Sequence, residues 1–448
     1  MRSAFARLLA RVARTPVLVD LAYIAVGCLA APLAVLRYWR TGKPVACWRE
    51  KLTGAVPPLP SSPSRPIWIH AVSVGEVLQA RPLVDALRRR ERGCPIVLSA
   101  STATGLEIAR QRFADCHVIP NPFDLSWAVA RTIRRIQPWA IVLIELELWP
   151  NLLTIAARAG VPVSIVSGRL SERSARGYAR LRPLFSAMLT QLSYVDVQTQ
   201  EYAERFLALG LPADRVSVSG CLKHDSLPLT MDPAAVESLR RSFCVAEHEL
   251  VLVAGSTHDP EEAAVLQTYR ELRDEGVALR LVLVPRHPER FSVVAEAITS
   301  GGDLVARRSR DESLRGEPVG LLDTLGELAA CWHLADIAFV GGSLTPRGGQ
   351  NMFEPAAAGA AVLFGPNVWN FPREVRELLE AGGAVQVHSA TELKSALRLL
   401  IQDADKRRQL AIAAKAAVSQ CRGASDVAAA RLLPACVLPE SNHQRDAA

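Results

Sequence analysis

The sequence lacks the cysteine and histidine patterns that commonly hold metal ions. Its nine cysteines are odd in number and widely spaced, and no two of them form a Cys-x-x-Cys pair. Its nine histidines form no His-x-x-x-His pair on a predicted helix. The cysteines are therefore predicted to be reduced packing thiols in a cytoplasmic compartment, and no metal is predicted.

Aromatic residues are scarce, at 6% of the chain, and they are not interleaved with the basic residues. The net charge of +7 and the pI of about 9.0 fit three partners, namely nucleic acid, an anionic membrane or a phosphorylated substrate. Nucleic acid is the weakest of these, because a base-stacking surface needs aromatic side chains among its cations. We predict no nucleic-acid partner.

A nearly unbroken apolar run extends from Val17 to Leu36, with arginines on both sides. About 20 such residues would just span a bilayer, but Asp20 and Pro32 interrupt the run. A helix lying in the membrane interface is the close alternative, and an ordinary core helix is the less favoured one. Residues 1–45 are therefore predicted to be a membrane anchor.

Strand-like runs alternate with helical patterns along the rest of the 448 residues. The runs are 67–72, 96–100, 140–144, 163–166, 195–199 and 216–219 in a first series, and 250–254, 281–284, 319–322, 337–340, 362–364 and 385–387 in a second. Such alternation is typical of βαβ units around parallel sheets. We predict an α/β protein with two doubly wound, Rossmann-like domains, at residues 46–226 and 227–425, followed by a tail at residues 426–448.

Ligands bind such sheets at the loops that follow the strands. The segment Gly341–Glu354 is a glycine loop between a buried strand and a helix start. Its backbone N–H groups would suit a phosphate, and the Glu354 carboxylate would suit a ribose diol. A tight turn before a capped helix is the alternative. Three further loops are predicted at the same edge of the sheet: Gly255–His258, Pro285–Pro288 and Leu325–Glu327.

Acidic residues follow two strands of the first domain. The turn after the first strand directs Glu76 toward the predicted cleft, where its carboxylate could act as a general base. Glu145 and Glu147 end a very apolar run, and the alternation of strand side chains predicts that they share a face. Lys223 lies near the predicted domain junction, where a salt bridge with Asp225 is its structural alternative.

Taken together, these motifs resemble those of the 3-deoxy-D-manno-octulosonic acid (Kdo) transferases of lipopolysaccharide synthesis, glycosyltransferase family 30. The matching segments are 70–76, 145–151, 168–171, 283–291, 323–328 and 338–344. No single segment is specific, whereas the series in this order is.

The resemblance implies a GT-B fold, in which two Rossmann-like domains face a cleft. It implies inverting transfer of Kdo from CMP-Kdo to a hydroxyl of a lipid A precursor, lipid IVA, without a cofactor. Glu76 would be the general base, and Glu145 and Lys223 would stabilise the transition state. The implied CMP-binding residues are Pro285, Arg286, Leu325, Gly326, Glu327, Asn351, Met352, Phe353 and Glu354. The implied location is the anionic leaflet of the cell inner membrane, with the globular part facing the cytoplasm.

Two positions and one segment depart from the family pattern. Cys221 stands where Asn or Ser is usual, Gln350 where His is common, and 99–105 keeps part of a threonine-rich motif that bears on acceptor contacts. Two alternatives remain open: a GT-B transferase that uses a UDP- or GDP-sugar, and a membrane-tethered nucleotide-binding protein without catalysis. The presence of both Glu76 and the Asn351/Glu354 pair argues against the second.

Overall fold

The computed structural model describes residues 11–41, 47–59, 62, 64–310 and 319–433, and the side chains of 30–41 lie outside that description. The ends of the predicted anchor, 1–10 and 42–45, and residues 434–448 of the predicted tail also lie outside the described residues. By its internal contacts the chain divides into two units. Unit 1 contains the residues up to Ser226 and those from Arg422 onward, and unit 2 is Leu227–Cys421.

Unit 1 is built around a parallel sheet of seven strands. The strands are β1 (Ile67–Ala71), β2 (Ile96–Ala100), β3 (His117–Pro120), β4 (Ala140–Ile144), β5 (Val163–Gly168), β6 (Tyr194–Val197) and β7 (Val216–Val218). Their order is β3-β2-β1-β4-β5-β6-β7, so the direction in which strands are added reverses between β1 and β4. Ligands bind parallel sheets at such a switch point, beside the carboxyl ends of the strands.

Helices cover both faces of this sheet. They are α1 (Pro16–Thr41), α2 (Trp48–Thr53), α3 (Val74–Arg90), α4 (Ala103–Arg112), α5 (Ser126–Ile136), α6 (Pro150–Arg158), α7 (Glu172–Arg180), α8 (Arg182–Leu189), α9 (Gln200–Ala208) and α10 (Leu222–Asp225). Strand side chains alternate between two cores, so that Ile67 and Ile69 pack with α3 and α4, and Trp68 packs with α5 and α6. Burial on both faces explains why the strands are so apolar.

Unit 2 has a second parallel sheet of seven strands. Its strands are β8 (Leu250–Thr257), β9 (Leu279–Pro285), β10 (Val305–Arg307), β11 (Val319–Leu321), β12 (Ile337–Val340), β13 (Ala361–Phe364) and β14 (Ala384–Gln386). The order β10-β11-β9-β8-β12-β13-β14 places the switch point between β8 and β12. These two sheets confirm the predicted α/β protein with two Rossmann-like domains.

The helices of unit 2 also lie on both sides of their sheet, since β8 residues alternate between two cores. They are α11 (Pro233–Ser242), α12 (Glu261–Asp274), α13 (Phe291–Ser300), α14 (Leu328–Trp332), α15 (Phe353–Ala358), α16 (Pro372–Glu380), α17 (Ala390–Gln402) and α18 (Ala404–Gln420). The next helix, α19 (Ala424–Leu432), belongs to unit 1, where its alanines pack in the core beside α3.

One face of α1 packs against unit 1. Asp20 is only 7% exposed, and its carboxylate accepts hydrogen bonds from Ser126 N (2.9 Å) and Asn151 Nδ2 (2.8 Å). The Tyr23 hydroxyl donates to Asp124 Oδ2 (3.0 Å). Asp20, which interrupts the predicted anchor, therefore attaches α1 to the domain. No helix in the described ranges combines the length and the apolar content that a membrane span requires.

Candidate active site

Glu76 is held at the switch point of unit 1. It lies in the first turn of α3, directly after β1. One carboxylate oxygen accepts a hydrogen bond from Val72 N (2.8 Å), and the other accepts one from Ser73 Oγ (2.9 Å). The side chain thus reaches back over the start of the helix, to the N-cap residue Ser73 and the residue before it. The two hydrogen bonds fix the carboxylate at the carboxyl end of the sheet.

Two more acids, Glu145 and Glu147, lie in the loop between β4 and α6. Glu145 has a φ of +63°, a left-handed conformation that few residues other than glycine adopt. Strand β4 ends before both residues, so the alternation of strand side chains does not apply to them. The reason given for a common face is therefore wrong. The loop nevertheless brings Glu147 close enough to both Glu76 and Glu145 for its charge to interact with theirs.

Glu145 has two polar neighbours. Its Oε1 accepts a hydrogen bond from Nε2 of the buried Gln79 (3.0 Å) and lies 3.7 Å from Lys223 Nζ. The Lys223 side chain is 53% exposed, so this ion pair is open to solvent. Lys223 thus pairs with Glu145 and not with Asp225, whose carboxylate accepts backbone N–H groups at the start of α19. Two of the three predicted catalytic residues are therefore in direct contact.

Glu147 has a strongly altered pKa. Burial raises the pKa of Glu147 to about 7, and the negative charges of Glu76 and Glu145 add to the rise. Carboxylates that share a site do not all ionise readily. A carboxyl group that exchanges its proton near neutral pH is typical of functional sites. The sequence places Glu147 after the same strand as Glu145 but indicates no role for it, because its electrostatic interaction with Glu76 depends on the fold.

The hydroxyl groups at the end of β2 and directly after it have structural partners. Ser99 Oγ accepts a hydrogen bond from Trp68 Nε1 (2.8 Å) and lies 2.9 Å from His70 Nδ1. Burial lowers the pKa of His70 to about 4, so its ring is neutral at pH 7. Thr102 Oγ1 accepts from Gly105 N (3.0 Å) and caps α4. Ser99 and Thr102 therefore support the fold of this segment.

In unit 2, the glycine loop already holds an anion that belongs to the protein. Glu261 is 1% exposed, and its carboxylate accepts hydrogen bonds from the backbone N–H groups of Gly342 (2.6 Å), Ser343 (2.9 Å) and Leu344 (2.8 Å). It also accepts one from His258 N (3.0 Å). The prediction that a phosphate binds the N–H groups of this loop is therefore wrong for these three amides.

The predicted nucleotide-binding residues after this loop differ in what they expose. Met352 and Phe353 are fully buried in the core, so only their backbone could contact a ligand. Asn351 Oδ1 accepts from Phe353 N (3.1 Å), and its Nδ2 donates to Glu354 Oε1 (3.2 Å). Burial raises the pKa of Glu354, which the hydrogen bond from Asn351 and the positive charge of Arg286 oppose. Asn351 and Glu354 thus form one polar pair near Arg286.

The predicted turn before α14 is open at its tip. Leu325 is 78% exposed, and Gly326 has a φ of +89° with open space where a Cβ would lie. The Glu327 carboxylate is used within the protein, because it accepts from Arg308 Nη2 (2.7 Å) and Thr324 Oγ1 (2.5 Å). A ligand could reach the tip of this turn more easily than the Glu327 carboxylate.

The two switch points therefore offer different chemistry. Unit 1 presents carboxylates and a lysine, which suit proton transfer and charge stabilisation. Unit 2 presents Arg286 beside a polar pair, which suits a nucleotide. Over the described ranges, no group of three or more His, Cys, Asp or Glu side chains is arranged to hold a metal ion.

Residues 46–226 match the family profile described as 3-Deoxy-D-manno-octulosonic-acid transferase (kdotransferase). The chain is 35% identical to the 3-deoxy-D-manno-octulosonic acid transferase of Haemophilus influenzae over 366 residues, which cover 81% of this chain and 85% of the relative. It is 34% identical to the 3-deoxy-D-manno-octulosonic acid transferase of Bordetella pertussis over 414 residues, which cover 88% of this chain and 94% of the relative.

Two solved structures are similar over both units. One is UDP-GlcNAc 2-epimerase from Neisseria meningitidis bound to UDP-GlcNAc, with a TM-score of 0.55 and 12% identity, covering 82% of this chain and 99% of that one. The other is a glycosyltransferase from Rickettsia africae, with a TM-score of 0.55 and 12% identity, covering 84% of this chain and 99% of that one. At this identity the likeness shows the fold alone.

Proposed function

The chain belongs to the 3-deoxy-D-manno-octulosonic acid (Kdo) transferase family, and from this premise we propose that it moves Kdo from CMP-Kdo to a hydroxyl of the lipid A precursor lipid IVA. Membership of the family makes it a glycosyltransferase of lipopolysaccharide synthesis. The donor, the acceptor, the inverting course and the GT-B class of the fold are parts of the proposal.

The observation that carries the proposal is the fixed carboxylate of Glu76, which interacts electrostatically with Glu147 in unit 1. In the proposed reaction, the acceptor oxygen attacks the anomeric carbon of Kdo while Glu76 takes the proton of that hydroxyl. The bond between the anomeric carbon and the phosphate oxygen breaks, and CMP leaves with the electron pair. Attack from the face opposite to the leaving group inverts the anomeric carbon.

Lys223 and Glu145 would act on the charges of this reaction. Lys223 has an ammonium group that is half exposed and only loosely paired at 3.7 Å, so an anionic group could approach it without first breaking a tight ion pair. Glu145 is oriented by Gln79 and keeps the ammonium group in place. A positioned cation stabilises developing negative charge more strongly than water does.

Arg286, Asn351 and Glu354 would hold the donor. An arginine binds phosphate oxygens through two parallel hydrogen bonds, and a carboxylate accepts from the two hydroxyls of a ribose. The electrostatic contact between Arg286 and Glu354 supports a site that binds both parts of one nucleotide. The exposed tip at Leu325 and Gly326 would add backbone groups.

The N-terminal helix would hold the enzyme at the anionic inner leaflet, with the globular part in the cytoplasm. The side of α1 that does not pack on unit 1 exposes Val17 (65%), Leu21 (57%), Val26 (63%) and Leu29 (81%). A helix that is attached on one face and apolar on the other suits the plane of the membrane interface. The net charge of +7 favours an anionic surface.

The experiment is product analysis by mass spectrometry of the purified protein with CMP-Kdo and lipid IVA. The proposal expects lipid products heavier than lipid IVA by one or more Kdo residues. If no Kdo-lipid formed while CMP still bound, the proposed substrates would be wrong. Turnover with a UDP- or GDP-sugar instead would favour the alternative transferase.

A further inference from the structure

Two arginines of unit 2 lie on either side of the loop that follows β8. Arg286 follows β9 and Arg347 lies in the loop after β12, while the sheet order is β9-β8-β12. Adjacent strands are about 4.8 Å apart, so the ends of β9 and β12 are separated by roughly 10 Å. Within the described ranges neither guanidinium group has a hydrogen-bond or ion-pair partner. Among the described residues, the switch point of unit 2 therefore carries two guanidinium groups without a hydrogen-bonded partner, and Arg286 interacts electrostatically with Glu354.

His258, on the loop between them, is buried with an unsatisfied nitrogen. The residue is 8% exposed, and its Nε2 has no hydrogen-bond partner among the described residues. A Cβ built on Gly342 would lie 3.3 Å from His258 Cδ2 and 3.5 Å from Arg347 Cβ. His258 and Arg347 thus both lie beside Gly342, where the absence of a side chain lets them approach the loop. A buried nitrogen without a partner in the protein is expected to find one in a ligand or in water.

The electrostatics around His258 favour an anion. Burial lowers the pKa of His258, the neighbouring His287, Arg347 and Arg286 lower it further, and Glu262 acts in the opposite direction. The ring is therefore neutral at pH 7 and retains one N–H donor. Because two arginines act on this ring, the ligand that completes its environment should be negatively charged.

The loop that carries Arg347 is well anchored. Arg347 O accepts a hydrogen bond from Asn370 Nδ2 (2.9 Å), and Gly349 N donates to Gly342 O (2.7 Å). Gly348 and Gly349 have φ angles of +87° and +74°, which other residues adopt only with strain. These contacts hold the backbone of Arg347, while its guanidinium remains available.

We propose that Arg347 and His258 form a subsite for the carboxylate of the donor sugar, distinct from the phosphate subsite at Arg286. The inference rests on the proposed function. In CMP-Kdo the carboxylate and the phosphate ester are attached to the same carbon, so the donor carries two anionic groups a few bonds apart. Arg286 interacts with Glu354 on the nucleotide side, which leaves Arg347 for the sugar. Arg347 is thus a specificity-determining residue, able to bind a carboxylate through two hydrogen bonds.

The test compares Arg347→Ala with Arg286→Ala in two readouts, the KM for CMP-Kdo and the inhibition constant of CMP. For Arg347→Ala we expect the KM for CMP-Kdo to rise roughly tenfold to a hundredfold, as for loss of a charge-assisted contact, while the CMP constant changes less than about threefold. Arg286→Ala should weaken both. Arg347→Lys should raise the KM for CMP-Kdo less than Arg347→Ala does, because it keeps the positive charge. His258→Gln should also raise this KM less than Arg347→Ala does.

Arg241→Ala is the matched control, because this side chain on α11 is 74% exposed and its ion pair with Glu237 is loose, with Nε 3.9 Å from the carboxylate. It should alter neither constant. Equal weakening of CMP and CMP-Kdo by Arg347→Ala would overturn the proposal, and so would no change in either.

Equilibrium binding separates this proposal from the proposed function. A wild type that transfers no Kdo but binds CMP-Kdo more tightly than CMP, and loses that preference with Arg347→Ala, would keep the subsite and reject the reaction. A wild type that binds CMP-Kdo and CMP equally would overturn the subsite even if transfer occurred.

Discussion

At the switch point of unit 1, Glu147 lies near both Glu76 and Glu145, whereas the corresponding point of unit 2 holds Glu261 inside a ring of backbone N–H groups. Glu76 and Glu261 each lie after the first strand, in chain order, of a seven-stranded parallel sheet. The Glu261 carboxylate accepts hydrogen bonds from backbone N–H groups of the protein itself, so it stabilises the glycine loop. The acids of unit 1 repel one another and remain available for chemistry. Position at a switch point alone therefore does not identify a catalytic acid.

The largest expected effect is that of Glu76→Gln on transfer. Removal of a general base lowers kcat by about 10²–10⁴-fold, and the amide keeps the size of the side chain. Initial rates with CMP-Kdo and lipid IVA measure this loss. Glu107→Gln, on the exposed side of α4, is the matched control and should retain at least half of the rate. A transfer rate of Glu76→Gln within tenfold of the wild-type rate would show that Glu76 is not the general base.

Each unit has a lysine in an ion pair with glutamate, Lys223 in unit 1 and Lys394 in unit 2, and the effects of replacing them can be compared. Lys223→Met should lower kcat by roughly 10²-fold through lost charge stabilisation, yet change stability by less than about 1 kcal/mol because its ion pair is exposed. Lys394, which contacts Glu271 (2.7 Å) and Glu275 (3.0 Å) in unit 2, is the control. Lys394→Met should leave kcat unchanged. Similar rates for the two variants would argue against a catalytic Lys223.

Glu261→Gln should destabilise unit 2. An amide side chain would turn an NH₂ group toward backbone N–H groups, which leaves buried donors unpaired at a cost of about 2–4 kcal/mol. Hydrogen exchange should accelerate in the peptide that contains Gly342, Ser343 and Leu344. The exposed Glu296→Gln on α13 should show neither effect. Unchanged exchange in that peptide would mean that Glu261 does not hold the glycine loop.

Helix α1 is a feature of unit 1 that unit 2 does not share. Leu21→Glu combined with Val26→Glu should reduce binding to vesicles that contain anionic lipid by roughly tenfold, because two apolar side chains would be replaced by charges. Flotation on a density gradient measures the bound fraction. The double variant Glu107→Gln with Glu296→Gln should float like wild type. Equal flotation of both double variants would contradict an interfacial role for α1.

The smallest effect concerns stability and pH. The pKa of Glu147 is about 7 in the folded protein against an ordinary value of 4.5. Between these values the unfolded chain is ionised while the folded one keeps its proton, so the carboxyl group increasingly destabilises the fold as pH rises and does so fully above pH 7. Glu147→Gln should therefore raise the Tm at pH 8 by roughly 2–4 °C and leave it unchanged at pH 4. This rise corresponds to a gain of about 1 kcal/mol in the free energy of unfolding, once solvent screening is taken into account. A rise of equal size at both values would contradict the altered pKa.

The central strands could be predicted from the sequence to within a residue. β4 and β12 are buried on both faces, and their uninterrupted apolar runs give clear ends. β3 (His117–Pro120) and β10 (Val305–Arg307) were not predicted, because both lie at the edge of a sheet and are short and partly polar. Local patterns carry little information on such edge strands.

The position of a candidate residue could be predicted where it lies soon after a strand. Arg286 directly follows β9, and Glu76 lies in the first turn of the helix after β1, so their place in the chain brought them to the switch points. The contact of Glu261 with Gly342 joins residues 81 positions apart, and the loss of free N–H groups in the glycine loop could not be inferred from either segment. The shared environment of Glu147 and Glu76 likewise comes from two loops that only the fold brings together.

Calorimetric titration of CMP into Glu76→Gln and Arg286→Ala tests the division of roles between the two units most directly. The account predicts that Glu76→Gln, although inactive, binds CMP within about twofold of wild type, and that Arg286→Ala loses at least tenfold in affinity, as expected for one charged phosphate contact. Loss of CMP affinity in Glu76→Gln, or full affinity in Arg286→Ala, would contradict it.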